Sequence, residues 1–406
     1  MRPSRSQVIG TLGAVALLAA LVAVGRLNAP GRLGRVSAPA STTATLPTPP
    51  TTVALPARSQ LRGVPLAGTG LAALLIPEPS SSAVPGLFWL DSGRLTPIGG
   101  LPRGGCYFPP TRLPHGWVLG QQASQPAGQG CPELGVQTQF YRLADGASSA
   151  TRLPVTADWV SPGDDTRLWL VDFLGQPDPT TDQLPPQAIQ QVDLTGHPHT
   201  PRYLVPDGYA AMQGVGGGLL LLIRTEPAPA DTSRFALWNP HSGRVLRRFD
   251  RVLAVTATTV AWVAVACGPQ RCPVHLSDLA SGRDIEVAGP RGMSANTGAF
   301  RPDGRDLAVV FGGGDLTGPA PSATPVRVGV IDASTGRLLA VSGAVMVGGG
   351  GDFWLAVTWS PDGAWLLLSA PAGQYTQFAA WRPGDTVFHV PRRLPPTGQH
   401  LASAGF

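Results

Sequence analysis

Cysteine and histidine are scarce in this chain, four and seven in 406 residues, so their placing is the first place to look for chemistry. Cys267 and Cys272 enclose Gly-Pro-Gln-Arg directly after the apolar run AWVAVA. A gap that short, closing a tight loop after a strand, suits a disulfide stapling a hairpin. Cys106 and Cys131 would close a second loop, for which chain entropy stabilises the fold by about 3 kcal/mol. Zinc ligation and free thiols are the competing readings. The paired Cys-x2–4-Cys or Cys/His spacing of zinc sites is missing around Cys106 and Cys131. No Cys-x-x-Cys occurs, which argues against redox catalysis. His197-Pro198-His199 could hold a surface metal, yet no third ligand is marked, and a solvated turn explains the pair. The acids Asp91, Asp145, Asp278, Asp303, Asp332 and Asp362 all fall where a turn needs one.

Catalytic signatures are missing altogether: there is no Gly-x-Ser-x-Gly elbow, Walker loop, His-Glu-x-x-His or dinucleotide fingerprint. The glycine runs 216–218, 312–314 and 348–351 open no helical pattern, so they read as loops or bulges rather than phosphate cradles.

The elements that must carry these residues repeat along the chain. Gly 51 and Pro 43 are dispersed between short apolar runs, the signature of many short strands joined by turns. Seven versions of one hairpin recur, with turn glycines Gly93, Gly146, Gly196, Gly243, Gly282, Gly336 and Gly384 at spacings of 39 to 54 residues. Asp, Asn or Ser beside Gly in these turns tolerates the left-handed backbone of a tight hairpin. Ahead of each hairpin lies a second pair of strands, clearest in AFRPDGRDLAVVF (Ala299 to Phe311) and TWSPDGAWLLLSA (Thr358 to Ala370). There Pro302 and Pro361 preset φ, Asp303 and Asp362 bond the local backbone, and Gly304 and Gly363 take the left-handed position. Four strands per unit, seven times over, predict an all-β fold, a seven-bladed β-propeller of four-stranded blades spanning residues 61–398, followed by a tail at 399–406.

These Pro-Asp-Gly turns resemble the TolB-like and WD40-like propeller repeats of bacterial envelope proteins. Two of the seven units carry the motif well, and the Trp-Asp dipeptide of the eukaryotic-type repeat does not close any unit. The segment Asp332-Ala333-Ser334-Thr335-Gly336-Arg337 is similar to quinoprotein repeats but lacks their following Trp. Propeller membership implies an architecture and leaves the chemistry open.

Charge adds an address. The chain carries a formal +5 with pI about 9.4, yet no acid precedes Glu78 while seven Arg do: Arg2, Arg5, Arg26, Arg32, Arg35, Arg58 and Arg62. Basicity thus belongs to the N-terminal arm and not to the repeats, which argues against a nucleic-acid partner. Val8 to Gly25 is an uncharged Ala/Leu/Val-rich run that, as a helix of about 1.5 Å per residue, reaches about 27 Å. The expectation is one transmembrane signal anchor over 8–25, with 1–7 cytoplasmic. The alternative is a secreted chain cleaved near Gly25, with Ala23 and Gly25 as the small residues of the site. Arg26, Arg32 and Arg35 outnumber Arg2 and Arg5, against the positive-inside rule, but the expected disulfides favour an oxidising compartment. Residues 26–60, rich in Pro, Thr, Ser and Ala, read as a disordered linker.

Together these features predict a membrane-anchored extracytoplasmic propeller that binds or scaffolds an envelope protein or cell-wall ligand. The bilayer meets the chain through residues 8–25; no cofactor and no enzymatic activity are expected. The alternative is a carbohydrate-active or quinoprotein-type enzyme, its site assembled in the central funnel from residues of separate blades.

Overall fold

A computed structural model describes residues 63–77, 84–103, 106–108, 110–113, 115–122, 137–163, 166–175, 184–225, 233–264, 272–312, 324–347, 355–372, 375–391 and 399–400. Their strands form seven separate sheets, each an antiparallel meander. Blade 3 shows the plan, with Trp159–Pro162 paired to Arg167–Phe173, then Gln187–Asp193, then Tyr203–Leu204. Blade 4 repeats it with Tyr209–Val215, Leu219–Arg224, Phe235–Asn239 and Arg244–Phe249. First strands of successive blades lie against one another, so they line the centre and fourth strands form the rim. The seven-bladed, four-stranded reading of the sequence holds.

Burial explains the strand patterns. Second and third strands are enclosed on both faces, as in Asp306–Gly312 and Phe235–Asn239, and so read as continuous apolar runs. Outer strands alternate, as in Thr151–Ala157. Apolar clusters span every junction between neighbouring blades. The last junction packs Phe88 and Leu90 of blade 1 with Leu367 and Phe378 of blade 7 and with Leu66, which follows the strand added outside blade 7, the two Phe rings stacked at 6.1 Å.

Ring closure uses both termini of the described chain. Gln399–His400 supplies the innermost strand of blade 1, antiparallel to Ile76 and Pro77. These two residues were expected in a tail, and they instead occupy a place in the first sheet. At the opposite edge of the junction Val64–Pro65 adds a fifth strand, parallel to His389–Val390, outside blade 7. Two further short strands, Thr111–Leu113 and Val345–Val347, augment blades 2 and 6.

The meander gives the ring two unlike ends. Connections between first and second and between third and fourth strands share one end, and most are short, as from Val215 to Leu219 or Asn239 to Arg244. This is the turn end. Connections between second and third strands share the other, the loop end, where the intervals run from Gln122 to Thr138, Phe173 to Gln187 and Gly312 to Thr324. Among the described residues no helix is long and apolar enough to cross a membrane; the expected anchor 8–25 and linker 26–60 lie outside those residues.

Candidate active site

Two carboxylates meet at the loop end of blade 3, beside its junction with blade 2. Asp158 immediately precedes the innermost strand, and Asp172 is the penultimate residue of the second. The paired register ends at Trp159↔Val171, and the Asp158 amide also donates to the Val171 carbonyl at 3.0 Å, so Asp158 and Trp159 both stand opposite Val171 as in a bulge. Backbone contacts bring Asp158 and Asp172 near each other: the Phe173 amide donates to the Asp158 carboxylate, and the Asp158 backbone lies beside the Asp172 carboxylate.

The two acids are held differently. One Asp158 oxygen accepts the Phe173 backbone N–H at 2.5 Å. Its own carbonyl accepts the Thr138 hydroxyl at 2.9 Å, and Thr138 accepts the Gln122 amide at 3.1 Å. Thr138 and Gln122 are both buried, so a fixed polar chain from blade 2 braces the site. Asp172 meets the Arg202 guanidinium at 2.8 Å. Burial nonetheless pushes its carboxyl above the usual carboxylate range, with Arg202 and the Asp158 backbone opposing less strongly. An anchored carboxylate near one whose pKa is raised is an arrangement that acid–base catalysis can use.

Two bonds fix blade 4 against this blade. The Gly214 amide donates to the Ser161 hydroxyl at 2.7 Å, and the Ala211 amide to the Gln187 side-chain oxygen at 2.8 Å. Both amides lie at or beside a register shift in Tyr209–Val215, where the ladder frees donors.

Residues singled out from the sequence lie elsewhere. Both Pro-Asp-Gly turns are at the turn end, in blades 6 and 7. Gly304 and Gly363 have φ of 72° and 66°, and their amides donate to the Arg301 and Ser360 carbonyls at 2.8 Å each. Asp303 caps the Arg305 amide at 3.1 Å and Asp362 the Ala364 amide at 3.0 Å. Pro302 and Pro361 are exposed in these turns. Arg301 joins the two turns: it pairs with Asp306 at 3.1 Å and lies 6.0 Å from the Trp359 ring centre.

His197 and His199 face Asp193 at 3.8 and 3.5 Å, and Asp193 caps the turn through the amides of Thr195 and His197. Among the described residues no group of three His, Cys, Asp or Glu is set to hold a metal. Gly216–Gly218 forms a short 3-10 turn, and 313–314 and 348–351 lie outside the described residues. Cys106 starts the innermost strand of blade 2, and Cys272 sits just before the third strand of blade 5; neither is a free thiol. Cys131 and Cys267 lie outside the described residues.

No protein-family model matches the chain, and no curated protein matches it. Solved structures do. An acylaminoacyl peptidase of Pyrococcus horikoshii is 10% identical, with a TM-score of 0.47, over 79% of this chain and 50% of that one. The chain thus spans about half the length of that peptidase. An acylaminoacyl peptidase in complex with Z-Gly-Gly-Phe-chloromethyl ketone is 10% identical, TM-score 0.47, over 84% and 53%. An oligogalacturonate lyase in complex with manganese is 12% identical, TM-score 0.45, over 74% and 83%. The sequence-based expectation of no enzymatic activity is corrected here, since the solved structures that the chain resembles are enzymes. Sequence motifs could not reveal the carboxylate pair, because its members reach each other only across a sheet.

Proposed function

We propose that this chain is a carbohydrate-active enzyme of the cell envelope, cleaving a glycan by acid–base chemistry at the loop end of blade 3. The pair of differently held carboxylates carries the reading, with Asp158 assigned to take the proton and Asp172, whose pKa burial raises, to give it. Cleavage next to a glycosidic oxygen needs one group to take a proton and another to give one, from carboxyls about 5–10 Å apart. Arg202 holds the Asp172 carboxyl in place and offers a cation to an acidic sugar.

The rest of the chain is assigned as follows. Residues 8–25 anchor it in the membrane, 26–60 hold the propeller off the surface, and the ring faces outward as a TolB-like repeat protein. Disulfides Cys106–Cys131 and Cys267–Cys272 staple two connections at the loop end. The uncharged apolar run and its flanking Arg support the anchor, and the lack of a free thiol at Cys106 or Cys272 supports the staples.

The test is a panel of neutral and acidic polysaccharides incubated with the protein, following new reducing ends and the absorbance of unsaturated products. Asp172→Asn and Asp158→Asn should each lower the cleavage rate by about 100-fold or more. Full activity in either variant, or no cleavage of any polysaccharide by the parent chain, would sink the proposal.

A further inference from the structure

The fourth strands of the blades present their outer edges to solvent, and the edges differ. Arg94–Pro97, Asp284–Val287 and Leu338–Val341 have four residues each, and Tyr203–Leu204 has two. Thr151–Ala157 is longer but holds Pro154, which removes a backbone donor. His389–Val390 is already covered by Val64–Pro65. Arg244–Phe249 in blade 4 has six residues, no proline and no strand on its outer side among the described residues; its register against Phe235–Asn239 shifts at Leu246, which has no cross-strand partner there.

Its side chains carry one sign of charge. Arg244, Arg247 and Arg248 occupy half of its positions, with no acid in the strand. Arg247 turns toward blade 5, 3.6 Å from Asp284 and 5.3 Å from the Phe249 ring centre. Arg244 and Arg248 are exposed and make no ion pair among the described residues, and Leu246 between them is 51% exposed.

We propose that the outer edge of blade 4 accepts an extended acidic peptide segment as a fifth strand. Backbone N–H and C=O groups of the edge supply the affinity, and Arg244 and Arg248 select carboxylates on the incoming strand. Leu246 meets an apolar residue between those carboxylates. The same ring demonstrates the mode of attachment. Val64–Pro65 docks on the fourth strand of blade 7 through Val64 N–H to the Phe388 carbonyl and Leu66 N–H to the Val390 carbonyl, both at 2.9 Å. A second copy of this chain is disfavoured, because arginines would then face arginines across the new pair.

The experiment titrates the full chain in detergent with a fluorescein-labelled alternating Glu/Val octapeptide, read by anisotropy. Two further probes are the Lys/Val octapeptide and a Glu/Pro octapeptide of equal charge that cannot pair through its backbone. The expected result is saturable binding of the Glu/Val peptide only. Affinity should fall about tenfold or more in the Arg244→Glu, Arg248→Glu double variant. It should persist in Arg94→Glu, a charge reversal on the outer strand of blade 1. Leu246→Pro should also abolish binding; because it sits in the sheet, its fold is checked by circular dichroism, and the charge-reversal variants stand independently of it. No binding of the acidic peptide overturns the proposal. So does equal binding of the Glu/Pro peptide, equal loss in Arg94→Glu, or a dimer of the chain itself that dissolves in the double variant.

Discussion

Exchanging glycine for alanine at the two Pro-Asp-Gly turns separates backbone strain from side-chain crowding. Gly304 and Gly363 occupy the same position with nearly the same φ, 72° and 66°. Alanine at either site carries the left-handed penalty of about 1–2 kcal/mol. A stiffer unfolded chain offsets part of it, leaving a cost of about 1 kcal/mol. A Cβ on Gly304 would meet only Thr256 Cγ2 at 4.0 Å, whereas one on Gly363 would lie 2.3 Å from Arg301 Nε and 3.0 Å from its Cγ. Arg301 must then withdraw from Asp306 and from the Trp359 face. At its half-exposed position these contacts contribute about 0.2–1 kcal/mol each. Gly304→Ala should therefore cost about 1 kcal/mol, and Gly363→Ala about 2–3. With about 2.1 cal/mol/K of unfolding entropy per residue, a ring of this size loses roughly 1.4 °C per kcal/mol. Melting followed by circular dichroism should show drops of about 1–2 °C and about 3–4 °C. In an Arg301→Ala background the excess at Gly363 should vanish. Equal shifts in the two variants, or an excess that survives Arg301→Ala, would refute the crowding argument.

Further outcomes follow from other contacts. Ser161→Ala should destabilise the ring by about 1 kcal/mol, because the half-buried Gly214 amide loses its acceptor; denaturant titration reads it. The Ser334 hydroxyl first, then the Thr335 and Ser334 amides, hold Asp332 down to about 2 from its ordinary 3.8. That contribution is complete above the unfolded value and disappears as pH falls through the folded one. Asp332→Asn should thus lessen the loss of melting temperature between about pH 4 and pH 2. Asp172 has the opposite sign, its folded pKa being raised, so its contribution is present at low pH and lost as pH rises through the folded value. Asp172→Asn should flatten that part of the stability profile above pH 4, measured by melting in a buffer series. Non-reducing peptide mapping should recover Cys106 joined to Cys131 and Cys267 joined to Cys272; any other pairing refutes the staple assignment.

The blades were legible because each depends on local chemistry. All seven hairpin glycines read from the sequence adopt positive φ, from 68° at Gly93 to 103° at Gly384. The apolar runs between them lie in the enclosed middle strands. Ring closure was not legible: Val64–Pro65 and Gln399–His400 are too short to show a period of two, and their partners are hundreds of residues away. The carboxylate pair was hidden for a related reason. Ala157-Asp158-Trp159 and Val171-Asp172-Phe173 each set an acid inside an apolar strand context, a local conflict that marks a functional candidate. Only the pairing of the two strands brings these two conflicts near each other.

The parallel setting of Val64–Pro65 decides how the ring would respond to a load. Its chain direction brings residue 63 in from the turn end, so tension applied there acts along the strand axis. The amide bonds to Phe388 and Val390 would be sheared together instead of unzipped one by one, and the buried Leu66 side chain is the next hold behind them. Gln399–His400, which completes blade 1 from within, carries none of that force directly. Losing the rim strand Val64–Pro65 would leave all four strands of blade 7 and the closed ring in place, so the first residues to yield would be ones the ring can spare.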